Sequence, residues 1–467
     1  MFNKNTYILR REVLKKKIAT GVMLFLGNEE SPMNYKDNAY HFRQDSSFLY
    51  YFGISAPGLA AVIDPEEDQE IIFGDELSID EIIWMGRQET LQEKSYRAGV
   101  HLVRPAASLP EYIQKALEQG RPVHYLPPYR GENTLRLMEL LGKTAAACER
   151  DVSVSLIKAI VAQRSVKEPE EVSEIEKAVN ITNEMHLAAM KLAKPGMIEN
   201  DVAAAVHRVA LAGGGNISYP IILTVHGETL HNHYHGNLLE EGKMVLNDSG
   251  AETGMGYCGD LTRTFPVAGA FSARQKEIYN IVLKAKEEAA AAVRPGARFI
   301  DVHFHACKVL AQGLKDMGLM KGNIDEAVAT GAHAMFFQCG LGHMMGLDVH
   351  DMEDLGEQYV GYTETLKKER QLFGLKSLRL GRELEPGFVL TVEPGVYIIP
   401  DLIDLWKSEK RHEAFINYQE LEHYRDFGGI RIEDDYLITE SGSRKLGEYL
   451  PQTAEEVEEI RKAALKA

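Results

Sequence analysis

The sequence is poor in cysteine and has no long hydrophobic run. Its 467 residues include four cysteines, and no two of them form a CxxC pair. This argues against a disulfide scaffold and against a structural zinc site, and it favours a reducing, cytoplasmic compartment. No apolar stretch approaches the ~20 residues that span a bilayer. A membrane-spanning protein is therefore not expected.

Positive charge is also scarce. Lys and Arg total 52 against 69 Asp and Glu, which gives a formal net charge of −17. Nucleic acids and anionic membranes need a basic face, so neither is expected as a partner. The basic start is followed by IATGVMLFLG, a brief apolar run without a small-x-small cleavage site. It predicts a helix followed by a first strand, rather than a signal peptide.

The chain is too long for one hydrophobic core, and its pattern changes near Val166. Before that point, strand signals such as GLAAVID and QEIIFG alternate with helix signals such as LPEYIQKALEQG. This alternation predicts an α/β domain over residues 1–165. A long helix starting near Pro169 and running to Lys194 then opens a second domain, residues 166–467.

The second domain contains a weak internal repeat. A helix, a basic residue, Pro-Gly and another helix occur twice, with the Pro-Gly pairs at 195 and 295. A strand-like run follows in each unit, GKMVLNDSGA in the first and PGFVLTVEPGVY in the second. KPG and RPG could be common turns, but the matched order favours two duplicated halves. Such halves often place a site at their shared interface.

Two aspartates are expected at facing ends of a hairpin. MVLND and DLTRTFPV read as its strands, which brings Asp248 and Asp260 opposite each other. Opposed strand residues have Cβ atoms ~4.5–5.5 Å apart. Two carboxylates at that separation repel each other unless a cation lies between them. The alternative is two ordinary turn aspartates, because Asp is favoured in turns.

Two glutamates occupy strand-like runs, where a charge is costly unless it is paired. Glu393 ends FVLTVE, and Pro394 and Gly395 are expected to stop that strand. Glu433 lies in GGIRIEDDYLIT, where alternation places it on the same face as Arg431. Arg431 could therefore be the ordinary ion partner of Glu433.

The stretch GLGHMMGLDVHD, residues 340–351, places two histidines among apolar residues and glycines. Gly340, Gly342 and Gly346 exclude a stable helix, so His343 is expected on a strand or tight loop. Four carboxylates with one imidazole form a mostly oxygen ligand set. Such a set suits Mn²⁺, with Co²⁺, Zn²⁺ or Fe²⁺ as alternatives, and it fits a site for two ions.

A further group of histidines lies in HNHYHGN, where His231, His233 and His235 alternate. On a strand, alternate residues share a face, and three such histidines could bind zinc. The preferred interpretation is that His231 contacts a substrate.

Taken in order, Asp248, DLTRTF, GLGHMMGLDVHD, LTVEPG and GIRIEDD resemble the proline-specific metallopeptidases of the pita-bread fold. That family includes Xaa-Pro aminopeptidase and prolidase. HFRQDSSFLYYFGISAPG, residues 41–58, resembles the family's N-terminal domain. The resemblance implies a creatinase/prolidase-type α/β N-terminal domain, a pita-bread α+β catalytic domain with pseudo-twofold halves, and a homodimer.

The resemblance also implies a reaction: hydrolysis of the Xaa-Pro bond with two divalent ions, in small peptides with proline at the second position. His231 and His350 would contact the substrate and the tetrahedral intermediate. Glu393 would also transfer the proton to the leaving proline nitrogen. The implied metal ligands, of which Asp260 and Glu433 would bridge, are Asp248, Asp260, His343, Glu393 and Glu433.

One position departs from the family. Relatives usually carry a histidine four residues before the ligand histidine, where this chain has Cys339. The substrate contact made there is therefore in doubt, and His333 is not in register to replace it. Cys339 is not expected to be a nucleophile, because a hydroxide held by the two ions would already serve as the nucleophile.

Arg379 bears on the length of the peptide that the protein cleaves. Arg379 matches the prolidase arginine that holds a dipeptide's free carboxylate, although it could be a plain surface charge. Arg431 is expected on the substrate side as well. The chain length and complete N-terminal domain favour Xaa-Pro aminopeptidase, with Xaa-Pro dipeptidase as the alternative. A metal-free peptide-binding module is disfavoured, because all five ligands are present.

Overall fold

Two units make up the chain in a computed structural model that describes residues 1–466. The first comprises Met1–Arg164 and Glu353–Tyr359. The second comprises Ser165–Met352 and the chain from Val360 onward. No helix within residues 1–466 combines the length and the apolar character needed to cross a membrane.

A five-stranded mixed sheet organises the first unit, in the order β4-β3-β2-β1-β5. The three central strands are antiparallel, and each edge strand is parallel to its neighbour. The strand signals GLAAVID and QEIIFG are confirmed as β2 and β3. The strands are β1 (Val22–Leu26), β2 (Ala60–Asp64), β3 (Gln69–Phe73), β4 (Leu102–Arg104) and β5 (Val123–His124).

Helices cover this sheet. In α5 the residues Leu109, Ile113 and Ala116 recur at helical spacing and are buried in one core with β1, β2 and β3. The predicted helix before a first strand is confirmed by α1 and β1. The helices are α1 (Lys4–Lys17), α2 (Ser46–Phe52), α3 (Ile79–Met85), α4 (Leu91–Arg97), α5 (Leu109–Glu118), α6 (Gly131–Leu141), α7 (Ala145–Arg150) and α8 (Val154–Arg164).

The second unit repeats one arrangement of helices, as the internal repeat predicts. The pair α9 (Pro169–Leu192) and α10 (Glu199–Ala212) is matched by α11 (Ala273–Ala292) and α12 (Phe299–Asp316). Each pair turns at a Pro-Gly whose glycine has positive φ, +88° at Gly196 and +78° at Gly296. The remaining helices of the chain are α13 (Ile324–Ala329), α14 (Glu357–Val360), α15 (Pro400–Ser408), α16 (Tyr418–Leu421) and α17 (Ala454–Lys466).

Each half of the second unit contributes a three-stranded sheet, β10-β8-β7 from the first and β11-β14-β15 from the second. A bridge between Thr262 and Glu433 joins the two halves. The strands are β6 (Asn216–Ile217), β7 (Ile222–Thr224), β8 (Met244–Ser249), β9 (Ala251–Glu252), β10 (Leu261–Pro266), β11 (Val389–Val392), β12 (Gly395–Tyr397), β13 (Gly429–Arg431), β14 (Asp434–Ile438) and β15 (Ser443–Lys445).

Two strand predictions need correction. Pro394 interrupts the strand as expected, but the chain resumes β structure at Gly395, because β12 pairs with β13. GGIRIEDDYLIT is likewise two strands, β13 and β14, with Glu433 at the break between them. Because the strand breaks, the alternate residues of GGIRIEDDYLIT do not all share one face.

A buried ion cluster anchors β14 directly beside Glu433. Asp434 is fully buried and pairs with Arg263 at 2.7 Å, with Lys445 at 3.0 Å, and with Lys286. A buried carboxylate is tolerated when cations and hydrogen bonds surround it in this way. The cluster fixes the backbone that presents Glu433.

Candidate metal centre

Asp248 and Asp260 come together, but they are not directly opposed as the hairpin prediction had them. Antiparallel pairing of β8 with β10 sets Asp248 opposite Thr262, so Asp260, which immediately precedes β10, is its diagonal neighbour. The Tyr219 hydroxyl lies 2.7 Å from Asp248 Oδ1 and 2.5 Å from Asp260 Oδ1. A phenol has a single proton, so Tyr219 donates to one of these carboxylates at a time. The sequence carried no signal for Tyr219.

His343 lies on irregular chain beside β11. Its backbone N–H donates to Thr391 Oγ1 at 3.2 Å, and the Thr391 N–H donates to the His343 carbonyl at 3.0 Å. A Cβ at Gly342 would lie 2.0 Å from the Thr391 carbonyl oxygen, so only glycine permits this approach. The expected tight, glycine-flanked presentation of His343 is what the structure shows.

The two nitrogens of the His343 ring have different surroundings. Nδ1 lies 3.0 Å from the Met344 carbonyl oxygen, an arrangement in which Nδ1 carries the proton and donates it. Nε2 faces Asp260 Oδ2 at 3.4 Å and Glu393 Oε1 at 3.6 Å. A backbone partner on one nitrogen commonly orients the other toward a metal.

The two glutamates come from the second half. Thr262 Oγ1 donates to Glu433 Oε2 at 2.7 Å, across the bridge between the halves. The ladder ends with the pair Val392 and Asp434, so Glu393, which follows Val392, and Glu433, which precedes Asp434, leave it at the same end. Ligand atoms of Asp260, His343 and Glu433 all lie within 4.8 Å of one another. We call the set Asp248, Asp260, His343, Glu393 and Glu433 the carboxylate centre.

The carboxylate centre carries more negative charge than its protein surroundings balance. Burial raises the pKa of Glu433 well above its usual range and that of Glu393 to about 7, with Asp260 adding to both shifts. Burial also raises the pKa of Asp248. Burial opposes ionisation of Asp260 too, but the hydrogen bond with His343 lowers its pKa. Oxygen donors, one imidazole and uncompensated charge together fit divalent cations.

Arg431 pairs with Asp248 rather than with Glu433. Its guanidinium donates to Asp248 Oδ2, to Thr262 Oγ1 at 3.2 Å and to the Tyr397 hydroxyl at 2.7 Å. The break between β13 and β14 explains the difference from the alternation argument. Arg431 is 3% exposed, so it acts on Asp248 from inside the protein.

The two histidines expected to contact the substrate lie near the carboxylate centre. The His350 ring packs on His343, with ring centroids 4.3 Å apart and an interplanar angle of 70°. His231 lies on irregular chain, and partial burial together with the charges of Arg431 and Arg379 lowers its pKa. Both arginines therefore act electrostatically on His231.

The alternating histidines do not form the zinc site considered above. Residues 231–235 are not a strand, and His235 Nε2 instead lies 3.0 Å from the Ile221 carbonyl oxygen. Within residues 1–466, His231, His233 and His235 do not converge at ligand spacing. Without a strand, alternation no longer places the three rings on one face.

Cys339 lies next to the carboxylate centre, with its Sγ 3.9 Å from the Tyr397 hydroxyl. Burial, and then the charge of Glu393, raises the pKa of the thiol to about 12. A thiol that holds its proton this firmly is a poor nucleophile. His333 belongs to a short 3₁₀ helix, Ala332–Met335, earlier in the chain.

Sequence comparisons match both units. The model of metallopeptidase family M24 matches residues 173–440, and that of the aminopeptidase P N-terminal domain matches residues 7–124. Human Xaa-Pro dipeptidase is 32% identical over 464 residues, covering 94% of this chain and 88% of that one. The Xaa-Pro aminopeptidase of Escherichia coli (strain K12) is 30% identical over 470 residues, covering 98% and 97%.

Solved structures match over nearly the whole chain. Aminopeptidase P from E. coli with the inhibitor Pro-Leu has a TM-score of 0.81 at 30% identity and covers 100% of both chains. The zinc-substituted E. coli enzyme in complex with product has a TM-score of 0.81 at 30% identity and covers 99% of both. The predicted fold, an α/β N-terminal domain and a pita-bread α+β catalytic domain, is confirmed.

Proposed function

The chain belongs to metallopeptidase family M24, and on this basis we propose that it is an Xaa-Pro aminopeptidase using two divalent ions. The observation that carries the proposal is the carboxylate centre, in which both halves contribute buried carboxylates to one point. Membership of the family implies a divalent metal. The ligand set favours two ions and Mn²⁺, with Co²⁺, Zn²⁺ or Fe²⁺ as alternatives.

The five residues of the carboxylate centre would hold the ions, with Asp260 and Glu433 bridging. Asp260 suits that role because its two oxygens face different groups, Tyr219 on one side and His343 on the other. When bound, two such ions would lower the pKa of a shared water and polarise the scissile carbonyl.

Glu393 is proposed to move the proton. Its side chain is 20% exposed, against 12% for Asp248 and 7% for Asp260, so it is more open to a substrate. Burial raises the pKa of Glu393 to about 7, and a nearby cation would favour the ionised form, which can accept a proton. It would take a proton from the attacking water and pass it to the leaving proline nitrogen.

The two histidines outside the ligand set would handle the substrate. His350 packs against His343, and it would donate a hydrogen bond to the carbonyl oxygen as negative charge develops there. His231 would contact the peptide in its neutral form, because its pKa is lowered. Arg431 would contribute indirectly, because its guanidinium donates a hydrogen bond to Asp248 and holds that carboxylate in place.

We also propose that the substrates are small peptides with proline at the second position, and that the protein is a homodimer without nucleic-acid or membrane partners. None of the four cysteines, all within residues 1–466, forms a disulfide, which fits a reducing, cytoplasmic compartment. Both Xaa-Pro aminopeptidase and Xaa-Pro dipeptidase occur among the relatives near 30% identity, so the dipeptidase remains the second candidate.

Arg379 separates the two candidates. If the protein is an aminopeptidase, the wild type should cut Xaa-Pro-Yaa tripeptides at least as well as Xaa-Pro dipeptides. Arg379→Ala should then change the cleavage of both substrates equally. For a dipeptidase, the variant should selectively raise KM for dipeptides. A lost charge-assisted hydrogen bond of about 1.5–3 kcal/mol corresponds to about 10- to 150-fold. The measurement is kcat and KM for matched peptides with Mn²⁺.

The matched control for Arg379 is Arg382→Ala. Arg382 lies three residues on and pairs with Glu385, so removing it tests the loss of a nearby positive charge. Poor tripeptide cleavage in the wild type, with a dipeptide defect confined to Arg379→Ala, would replace the aminopeptidase proposal with the dipeptidase.

Tyr219→Phe should weaken metal binding without removing a ligand. The change deletes the hydroxyl that faces Asp248 and Asp260, and loss of such an outer contact typically costs about 10–100-fold in metal affinity. Activity at saturating Mn²⁺ should stay close to wild type. The test is a Mn²⁺ titration of activity, with Tyr279→Phe as the control, because the Tyr279 hydroxyl donates to the Gln452 carbonyl instead. Equal Mn²⁺ affinities in both variants would show that Tyr219 does not support the ligands.

A further inference from the structure

A second group of ligand-type side chains lies outside the carboxylate centre. His303, Cys307 and His333 are buried, and one ligand atom from each lies within 4.8 Å of the others. We call these three residues the His-Cys cluster. The reaction proposed above does not use any of them.

Two elements of the catalytic domain build the His-Cys cluster. His303 and Cys307 lie one turn apart on α12 and therefore share a helix face. His333 comes from the 3₁₀ helix Ala332–Met335, which follows the left-handed Gly331 at φ +86°. The His303 Nε2 and Cys307 Sγ atoms are 3.5 Å apart. Tetrahedral zinc with ordinary bond lengths would place a nitrogen and a sulfur ligand ~3.6 Å apart.

Three of the four ring nitrogens lack the hydrogen bonds that buried polar groups normally make, whereas His303 Nε2 faces the Cys307 thiol. Nδ1 of His303 and both ring nitrogens of His333 make no hydrogen bond of ordinary geometry within residues 1–466, although the Val328 backbone lies near His333. A neutral imidazole presents one donor and one acceptor, and buried groups of this kind are nearly always satisfied. Burial lowers the pKa of His303 to about 3 and that of His333 to about 4, so both rings are neutral, as metal ligands must be.

We propose that the His-Cys cluster binds one Zn²⁺, with two imidazoles and one thiolate as its protein ligands, at a site separate from the carboxylate centre. Two imidazoles and a thiolate favour zinc over Mn²⁺, which prefers oxygen ligands. Binding would release the Cys307 proton, which the buried thiol otherwise keeps. The absence of a CxxC pair argued against structural zinc, but His-x-x-x-Cys on one helix face is a different arrangement.

The position of the His-Cys cluster suggests what the ion would stabilise. The 3₁₀ helix that carries His333 leads directly to Cys339 and then to His343. Phe337 packs on the His303 ring with centroids 5.7 Å apart, and the Tyr397 N–H donates to the Phe336 carbonyl at 2.8 Å. The ion would therefore tie α12 to the segment that presents His343 to the carboxylate centre.

Cobalt substitution of the full-length protein tests the site. Co²⁺ bound by a thiolate gives an ultraviolet charge-transfer absorption that oxygen and imidazole ligands do not give. Once Co²⁺ saturates every site, the wild type should show this band at an intensity of one thiolate-bound Co²⁺ per chain, and Zn²⁺ should displace it. Cys307→Ser should abolish the band, whereas Cys339→Ser, the control beside the carboxylate centre, should keep it.

Two further variants complete the test. Asp260→Ala should retain the band, because the His-Cys cluster is independent of the proposed hydrolysis, and the two proposals can therefore fail separately. His333→Ala keeps the thiol and should weaken Zn²⁺ binding by at least about tenfold, which gives a second measurement if Cys307→Ser does not fold. Absence of a thiolate band in the wild type, its loss in Cys339→Ser alone, or unchanged Zn²⁺ affinity in His333→Ala would overturn the site.

Discussion

Asp260→Ala is expected to lower Xaa-Pro hydrolysis by about 10³-fold or more while the protein stays folded. Metal ions at such sites contribute several kcal/mol of transition-state stabilisation, and each 1.36 kcal/mol is tenfold in rate. Asp260 faces Tyr219 and His343 with its two oxygens, so its removal deprives both proposed ions of a shared ligand. The measurement is kcat/KM on an Xaa-Pro-Yaa peptide with Mn²⁺.

The fold should survive this change, because the truncation also relieves repulsion among buried carboxylates. Circular dichroism and thermal unfolding would establish this for Asp260→Ala. The control is Asp404→Ala, which removes an exposed carboxylate that pairs with Arg425 and is not part of the carboxylate centre, and it should keep full activity. Turnover near the wild-type rate in a folded Asp260→Ala protein would contradict the bridging role.

Glu393→Gln is the second change with a large expected effect. Glutamine has the size of glutamate but cannot accept and release a proton, so kcat should fall by about 10²–10⁴-fold. KM should change little, because the amide still fills the same space beside the substrate. The measurement is kcat and KM separately, at Mn²⁺ concentrations that saturate the variant.

A second glutamate provides the comparison for Glu393. Glu409 is exposed and pairs with Arg411, so Glu409→Gln removes a carboxylate without touching the carboxylate centre. It should leave kcat unchanged. If Glu393→Gln altered KM alone, or if its kcat recovered fully with added Mn²⁺, Glu393 would be a ligand and not the proton carrier.

Local patterns in the sequence predicted much of this fold. The strands β2 and β3, the helix that starts at Pro169 and the repeated helix–Pro-Gly–helix order each depend on neighbours along the chain. The hairpin of Asp248 and Asp260 is local as well, since β8 and β10 are joined by a short connection. The domain boundary near Val166 stays a prediction.

Local sequence patterns could not predict contacts between segments that are distant along the chain. Tyr219 reaches both aspartates from outside the hairpin, and no spacing in the sequence connects it with them. Arg431 pairs with Asp248 of the other half, because the strand breaks before Glu433 and redirects the guanidinium. The His-Cys cluster likewise depends on packing between α12 and a 3₁₀ helix.

A crystal structure with Mn²⁺, with anomalous scattering used to locate the ions, tests the central claim most directly. The expected result is a pair of Mn²⁺ ions ~3.5–4 Å apart, contacted by Asp248, Asp260, His343, Glu393 and Glu433. A single ion, ions bound elsewhere, or any of these five side chains turned away from the metals would contradict it.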